Sequence, residues 1–501
     1  MPSCEVLGTP GSGISGRMKP PRRQLGLTIA AAIVIANMIG TGVFTSAGLQ
    51  AASLHDPATI LLTWIVGGVL ALCGAAVYAE LGAMMPRAGG EYVYLREAYH
   101  PAAGFMSGWV SLTAGFSASI AGSALAFATY MAKLVPGLAS PAPWLTAELE
   151  ISGHHLFSLT LGATQAVALG LIVVMTAVHS FDAKLGGWVQ AAFTAAKVLL
   201  ILGFIAAAVL LGDGDWHNLH SQHGGLANVT TPSFAMALMY VTTSYSGWNA
   251  AAYVAGEVVR PEKTLPRAML VGTGIVMALY VLLNLVFLYA VPADTLAGPG
   301  GGASPIIEVG DVAARQLFGD RTGQLVTAVI ALALVSAVSS MVMVGPRIYA
   351  AMAADGALPR QLGHHSRRGV PTVAVITQGV LGGAFVLVGD LGELLRFVGF
   401  TLAIFAALAV AAVFVLRSRG YRAPYRTFGY PVTPILFIAL SGWIAYVQVR
   451  ENLTESLVAA GVLAVGGILY GLVGRGAATP RSGAPEELPE ARVVGSDPPA
   501  A

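Results

Sequence analysis

The sequence predicts an all-α polytopic membrane protein with twelve transmembrane helices. Of 501 residues, 55% are hydrophobic and only 10% are charged. Apolar runs of about twenty residues, the length a helix needs to cross a hydrocarbon core, follow one another almost to the end. They lack the short two-residue alternation of a transmembrane barrel, so helices are the spanning element.

Turns and charges bound spans near residues 25–50, 58–79, 104–133, 162–180, 185–211 and 231–256. The second half gives spans near 268–291, 322–349, 371–388, 392–416, 431–449 and 453–474. The first begins behind Arg17, Lys19, Arg22 and Arg23, as a signal peptide would, but it is long and has no small-residue cleavage site, so it reads as a retained span. Residues 1–24 form an N-terminal tail. Five spans follow (25–211), then five more (231–416), then a closing pair (431–474). Residues 475–501 are rich in Pro, Ala, Gly and Glu, which predicts a disordered cytoplasmic tail.

An even number of spans puts both termini on one side. With the N-terminus inside, the cytoplasmic segments collect most of the Lys and Arg, and this asymmetry orients the chain as a multi-pass protein of the cell membrane with both termini cytoplasmic. The net charge of +2 does not suggest a nucleic-acid partner. Cys4 lies in the tail and Cys73 within the second span, so neither a structural disulfide nor one to a partner subunit is expected. Outside the spans, 89–99 has the spacing of a helix at the cytoplasmic interface and 305–314 that of an external cap, although a connecting loop fits either stretch equally well.

Lys197 is the one charged side chain near the middle of a span. A lysine at the bilayer centre costs about 2.5–3.5 kcal/mol even on lenient insertion scales, so it requires a partner, a cavity or a role in turnover. Two spans also carry glycine with hydroxyl residues at mid-depth, Met38-Ile39-Gly40-Thr41-Gly42-Val43-Phe44 in the first and Ser244-Tyr245-Ser246-Gly247-Trp248-Asn249 in the sixth. A lone Gly-x-Gly is usually a packing device. Counting spans, the first and sixth are equivalent if two five-span halves are related by a repeat, and an odd number of spans per half would make the repeats opposite in orientation. In transporters built this way, broken helices form the substrate site.

An unwound stretch at Gly40–Gly42 frees backbone amides at the positive end of an outer half-helix, which suits a carboxylate. Free carbonyls ending the inner half, and those near Thr243 and Ser246, suit an ammonium. An α-amino acid carries both groups. Apart from Lys197 no charged residue is placed deep in a span, so a neutral amino acid fits best. A cationic amino acid or polyamine is the alternative.

Gly40-Thr41-Gly42-Val43-Phe44, Ala79-Glu80-Leu81-Gly82 with Pro86 and Gly89-Gly90-Glu91-Tyr92, and Tyr245-Ser246-Gly247-Trp248-Asn249 with Glu257 and Pro261-Glu262 resemble the amino acid-polyamine-organocation (APC) superfamily. So does Gly345-Pro346-Arg347-Ile348-Tyr349 followed by Asp355-Gly356. The chain is similar to bacterial amino acid permeases related to the L-type amino acid transporters. That resemblance implies the LeuT-type fold, an inverted five-plus-five repeat with two more helices, and alternating access around the broken first and sixth helices. It places the substrate carboxylate on the amides of Thr41 and Gly42 and the amino group on carbonyls near Met38, Ile39, Thr243 and Ser246. Gly247, Trp248 and Asn249 then shape the pocket and gate. The chain departs from its relatives at Thr243, where a bulky aromatic is usual, which bears on the gate and the pocket size.

The resemblance also implies that Lys197 stands where sodium-coupled relatives hold an ion. Its partners there are the carbonyls of Ala36 and Ile39, with Ser336, Ser339 and Ser340 on one face of the eighth span. Two mechanisms stay open: the lysine releases its proton once per cycle, coupling transport to protons, or it stays charged as a permanent sodium substitute in an exchanger. A third reading makes it a packing or snorkelling residue.

Asn37, Asn284, Gln190 and Thr113 read as interhelical hydrogen-bonders. Glu80, Glu257 and Arg347, at cytoplasmic ends of spans, read as a gate or as solvated caps, and His179, His364 and His365 as further cytoplasmic-end residues. No nucleophile–base pair, phosphate loop or metal-ligand spacing stands out, so neither an enzyme nor a cofactor or metal site is expected. A transporter-like amino acid sensor is the rival of another class.

Overall fold

A computed structural model of the chain describes residues 25–473 apart from 139–141, 152–153, 182, 222–224, 300–304 and 367. The two expected tails, with Cys4 and the basic run ending at Arg23, lie outside the described residues.

The first span is two helices, α1 (Leu27–Met38) and α2 (Gly42–Leu54), and α3 (Pro57–Met84) follows. Pro57 starts α3 where a missing N–H costs nothing, and the Asp56 carboxylate caps the Thr59 amide at 2.9 Å. Gly89 and Gly90, at φ 116° and 50°, turn the chain into α4 (Glu91–Ala98). This helix sits where 89–99 admits one, but it is buried against protein rather than spread on an interface. The third span runs as α5 (Pro101–Val110), a π-helical stretch (Ser111–Ala118) and α6 (Ser119–Leu134).

The all-α expectation needs one correction. Strands β1 (Leu145–Ile151) and β2 (His154–Leu161) pair antiparallel between the third and fourth spans. The segment Leu145-Thr146-Ala147-Glu148-Leu149-Glu150-Ile151 alternates apolar and polar side chains, a period that suits a strand.

Next come α7 (Ala163–Phe181), α8 (Ala183–Leu211), α9 (Pro232–Ser244), a four-residue α10 (Ala250–Tyr253) and α11 (Pro261–Ala290). After a short α12 (Ala293–Leu296), α13 (Val309–Val344) turns at Gly319, φ 77°, so 309–318 is a separate helical piece before the long span. The chain continues through α14 (Pro346–Ala354), α15 (Thr372–Val388), α16 (Leu391–Ser418), α17 (Val432–Glu451) and α18 (Leu453–Val473).

Among the described residues, ten helical stretches are long and apolar enough to cross a membrane, and Thr372–Val388 is apolar but shorter. The inner elements pack on one another: α1 and α3 on α11, α2 on α9, and α13 between α6 and α8. The peripheral helices carry exposed large apolar side chains, including Val173, Leu199, Leu210, Ile468 and Leu472. An outside this apolar is the mark of a lipid-facing surface.

Polar side chains inside the bundle mostly bond to their own helix. Asn37 donates to the Ile33 carbonyl, Asn284 to Tyr280 and Thr113 to Trp109, each at 2.9 Å, and Gln190 to the Thr194 hydroxyl at 3.2 Å. The interhelical role expected for these four is therefore corrected, because a partner one turn away along the same helix satisfies them without a neighbour.

The Glu80 carboxylate, 1% exposed, is bound on both oxygens. It accepts from Arg417 Nε and Nη2 at 2.8 and 2.7 Å, and from the Thr427 amide and hydroxyl at 2.7 and 2.6 Å. Glu80→Ala leaves Arg417 and two Thr427 donors facing a void, a loss worth about 3–5 kcal/mol for a buried pair. We expect a marked fall in the melting temperature of the purified protein in detergent, with Glu80→Gln falling less.

Candidate substrate site at two helix breaks

The first and sixth spans break at the two glycine sites. Helix α1 ends at Met38, Ile39 leaves helical geometry at ψ 88°, and α2 resumes at Gly42. Helix α9 ends at Ser244, and a turn with Gly247 at φ 100° leads into α10. The breaks interlock. A Cβ on Gly42 would stand 2.0 Å from the Ser244 hydroxyl, and one on Gly247 would stand 2.7 Å from the Asn37 carbonyl. Hydroxyls tie the same region, Thr41 to Ser123 at 2.6 Å and Ser46 to Ser244 at 2.9 Å.

Two cavities meet here. The smaller, about 40 Å³, is lined by Gly40, Thr41, Gly42, Ser123, Thr243 and Ser246 among others. The larger, about 110 Å³, extends towards Trp248, Asn249, Tyr253, Phe116 and Phe437. Asn37, Ser119, Thr243, Ser246 and Met341 line both. The amides of Thr41 and Gly42 donate to no backbone acceptor among the described residues, and both residues line the smaller cavity. Three of the four carbonyls assigned to an ammonium are already engaged. Met38 accepts from the Tyr280 hydroxyl at 2.5 Å, Ile39 from Lys197 at 2.7 Å, and Thr243 from the Ser246 amide at 3.1 Å. An ammonium would share these oxygens through their second lone pairs.

Lys197 is 1% exposed. Its Nζ donates to the carbonyls of Ala36 at 2.8 Å and Ile39 at 2.7 Å, where α1 comes undone. The serine face does not supply it. Ser339 bonds His179 Nε2 at 2.8 Å, and the buried hydroxyls of Ser336 and Ser340 have no partner among the described residues. His179, read only as an end-of-span residue, is thus a buried partner of Ser339. Arg347 Nε reaches Glu257 at 3.1 Å, while His364 and His365 lie in a surface loop.

A profile of the amino acid permease family matches residues 25–468. The chain belongs to that family. It is 30% identical to the serine/threonine exchanger of Bacillus subtilis (strain 168) over 84% of this chain and 90% of the relative. It is 26% identical to the human b(0,+)-type amino acid transporter 1 over 90% and 87% of the two chains. With the human large neutral amino acids transporter small subunit 2 it shares 28% identity over 82% and 73%. The protein is a multi-pass amino acid permease of the APC superfamily, and its work is transport of amino acids rather than catalysis.

Sequence reasoning missed several residues of this permease's site. Tyr280 spans the breaks, its hydroxyl also reaching the Ser244 carbonyl at 3.2 Å, and Tyr245 fixes the sixth-span turn to the Trp64 carbonyl at 3.0 Å. Glu91 is the larger omission. It is the only charged residue among the described lining of the larger cavity, and it accepts from Asn249 Nδ2 at 2.7 Å. Burial pushes its carboxyl above the usual carboxylate range, against the opposing pull of its hydrogen bonds. The sequence offers only the Gly89-Gly90 pair as a signal; that both glycines stand at positive φ and fold the short helix inwards is seen in the structure alone.

Gly40 and Gly42 give a contrast that checks this geometry. A Cβ on Gly40 has its nearest neighbours at 3.8 and 4.0 Å, whereas on Gly42 or Gly247 it meets atoms it cannot pass. Gly247 also needs its positive φ, a strain of about 1–3 kcal/mol for another residue. We expect Gly42→Ala and Gly247→Ala to lower melting temperature and abolish amino acid uptake, with Gly40→Ala close to wild type in melting temperature.

Proposed function

We propose that this permease is a sodium-independent transporter of neutral amino acids that works by alternating access, as a proton-coupled symporter or an exchanger. The observation that carries the reading is the pair of interlocked helix breaks. Free amides of Thr41 and Gly42 face a cavity beside carbonyl-rich helix ends, a set of partners that suits the two charges of an α-amino acid. Met38, Ile39, Gly40, Thr41, Gly42, Thr243 and Ser246 form the α-group site, and Gly247, Trp248 and Asn249 shape the space for the side chain. Glu91 would be the counter-ion of a cationic substrate, but its carboxylate is engaged by Asn249 and Tyr253. That favours a neutral side chain, as does the wording of two relatives' names, a serine/threonine exchanger and a large neutral amino acids transporter.

The same reading makes the architecture a LeuT-type five-plus-five inverted repeat with two further helices, twelve spans in all. It is supported by breaks at the first and sixth spans and by α17 and α18 packed on the outside. The membrane is the cell membrane, both termini are cytoplasmic, and no disulfide-linked partner subunit is needed, in keeping with Cys73 inside α3. Lys197 acts as a sodium-site surrogate. An ammonium bound to the Ala36 and Ile39 carbonyls holds the end of α1 as a bound ion would, with Ser336, Ser339 and Ser340 forming the facing wall.

Counterflow in proteoliposomes tests the function: unlabelled L-serine, L-threonine or L-leucine inside should drive saturable accumulation of the labelled form. Binding of those amino acids without flux would identify a sensor and reject transport, and accumulation confined to L-lysine, L-arginine or polyamines would reject the neutral class. Charge-assisted hydrogen bonds are worth about 1.5–3 kcal/mol each, so Lys197→Ala should lower uptake roughly tenfold or more, or uncouple it. Unchanged uptake with an unchanged response to an imposed pH gradient would reject the surrogate role.

A further inference from the structure

Glu91 sits in a cage with unusual hydrogen-bonding. It is 4% exposed, and its carboxylate accepts from the Asn249 amide at 2.7 Å and the Tyr253 hydroxyl at 3.4 Å. The hydroxyls of Tyr78 on α3 and Ser107 on α5 also face it, with Tyr94 of its own helix close by. All three hydroxyls are buried, and none makes a hydrogen bond of ordinary length among the described residues, although Tyr78 and Ser107 stand close enough to Glu91 to draw its carboxyl downward. The titratable groups around Glu91 are therefore Tyr78 on α3, Tyr94 on α4 and Tyr253 on α10, all neutral phenols, and no basic side chain pairs with it among the described residues.

A bare carboxylate in such a place carries a charge that nothing opposes, which is costly and normally avoided by neutralisation. The cage indicates which neutraliser it suits. Asn249 presents its N–H to the carboxyl, the remaining groups are hydroxyls that donate as readily as they accept, and no cationic side chain stands among them. A proton on the carboxyl removes the charge and leaves hydroxyls free to give and take hydrogen bonds. The same residues also hold the inner end of the sixth span, because Asn249 precedes α10 and Tyr253 ends it while Glu91 belongs to α4.

We propose that Glu91 is a reversible proton-binding site of the transport cycle, protonated while α10 rests against α4 and deprotonated when the cavity opens at that end. On opening, the carboxyl O–H bond breaks, its proton passes to incoming water, and the solvated carboxylate remains. After closure, water entering once the cavity opens to the opposite side gives the carboxylate a new proton and the cage reforms, so that each cycle carries one proton across. The link to the cycle rests on the transport reading, whereas the titration of Glu91 does not.

Infrared difference spectra of the reconstituted protein, taken from about pH 5 to about pH 9, the range open to a buried carboxyl, read the site without any flux. We expect a protonated-carboxyl band that titrates above the ordinary carboxylate range and is missing in Glu91→Gln; identical spectra for the two proteins would overturn the proposal. A raised folded-state pKa contributes stability that is present below the unfolded value and lost as pH rises through the folded one. The melting temperature of the wild type should accordingly fall relative to Glu91→Gln with rising pH, and parallel curves would count against it. In proteoliposomes an imposed proton gradient should stimulate L-serine or L-leucine uptake by the wild type and no longer do so in Glu91→Gln. Selective loss of L-arginine uptake, with the stimulation intact, would make Glu91 a substrate counter-ion and reject a proton role. A wild type that moves no amino acid would refute the transport reading, while the infrared titration would still decide for or against the site.

Discussion

Interrupting a helix inside a bilayer strands peptide groups where no lipid can bond them, and each stranded group costs several kcal/mol unless protein or ligand satisfies it. The centre of this permease is arranged around that constraint. At the first break the carbonyls of Ala36 and Ile39 are taken by Lys197 and that of Met38 by Tyr280, while Tyr280 also reaches Ser244 at the second. One lysine and one tyrosine thereby satisfy most of the freed carbonyls. The amides of Thr41 and Gly42 receive no comparable cover. The imbalance is chemically informative, because a site left with unpaired N–H groups and shared carbonyls is complementary to a molecule that brings its own carboxylate and ammonium.

The breaks are held together by shape as much as by bonds. Gly42 is opposed by Ser244 and Gly247 by Asn37, so each interrupted helix presents a glycine to the other. Close approach of two irregular segments needs residues without a Cβ. It also explains why neither glycine site makes sense alone: each is small because the other is near.

Much of this was legible in the sequence, for definite reasons. Spanning helices follow from apolar length, and the breaks follow from glycine beside hydroxyl residues at mid-depth, a local signal repeated in two places. Lys197 was legible because charge is rare in such segments. The serine face was not, since the spacing of Ser336, Ser339 and Ser340 shows that they share a side of α13 but not which neighbour they meet; Ser339 turned to His179. Glu91 was obscured for a related reason. Its segment reads equally as an interfacial helix or a connecting loop, and nothing in its composition says that α4 is drawn under α16 and into the cavity wall. The hairpin β1–β2 hid in the same way, its alternation masked by the surrounding hydrophobic runs.

At the start of the described chain, Leu25 exchanges two backbone hydrogen bonds with the segment after α10, its amide to the Glu257 carbonyl and its carbonyl to the Val259 amide, both at 3.0 Å. The start of the first broken span and the end of the sixth are thereby coupled like the two sides of a latch. Neither can swing at that end without carrying the other or parting the clasp.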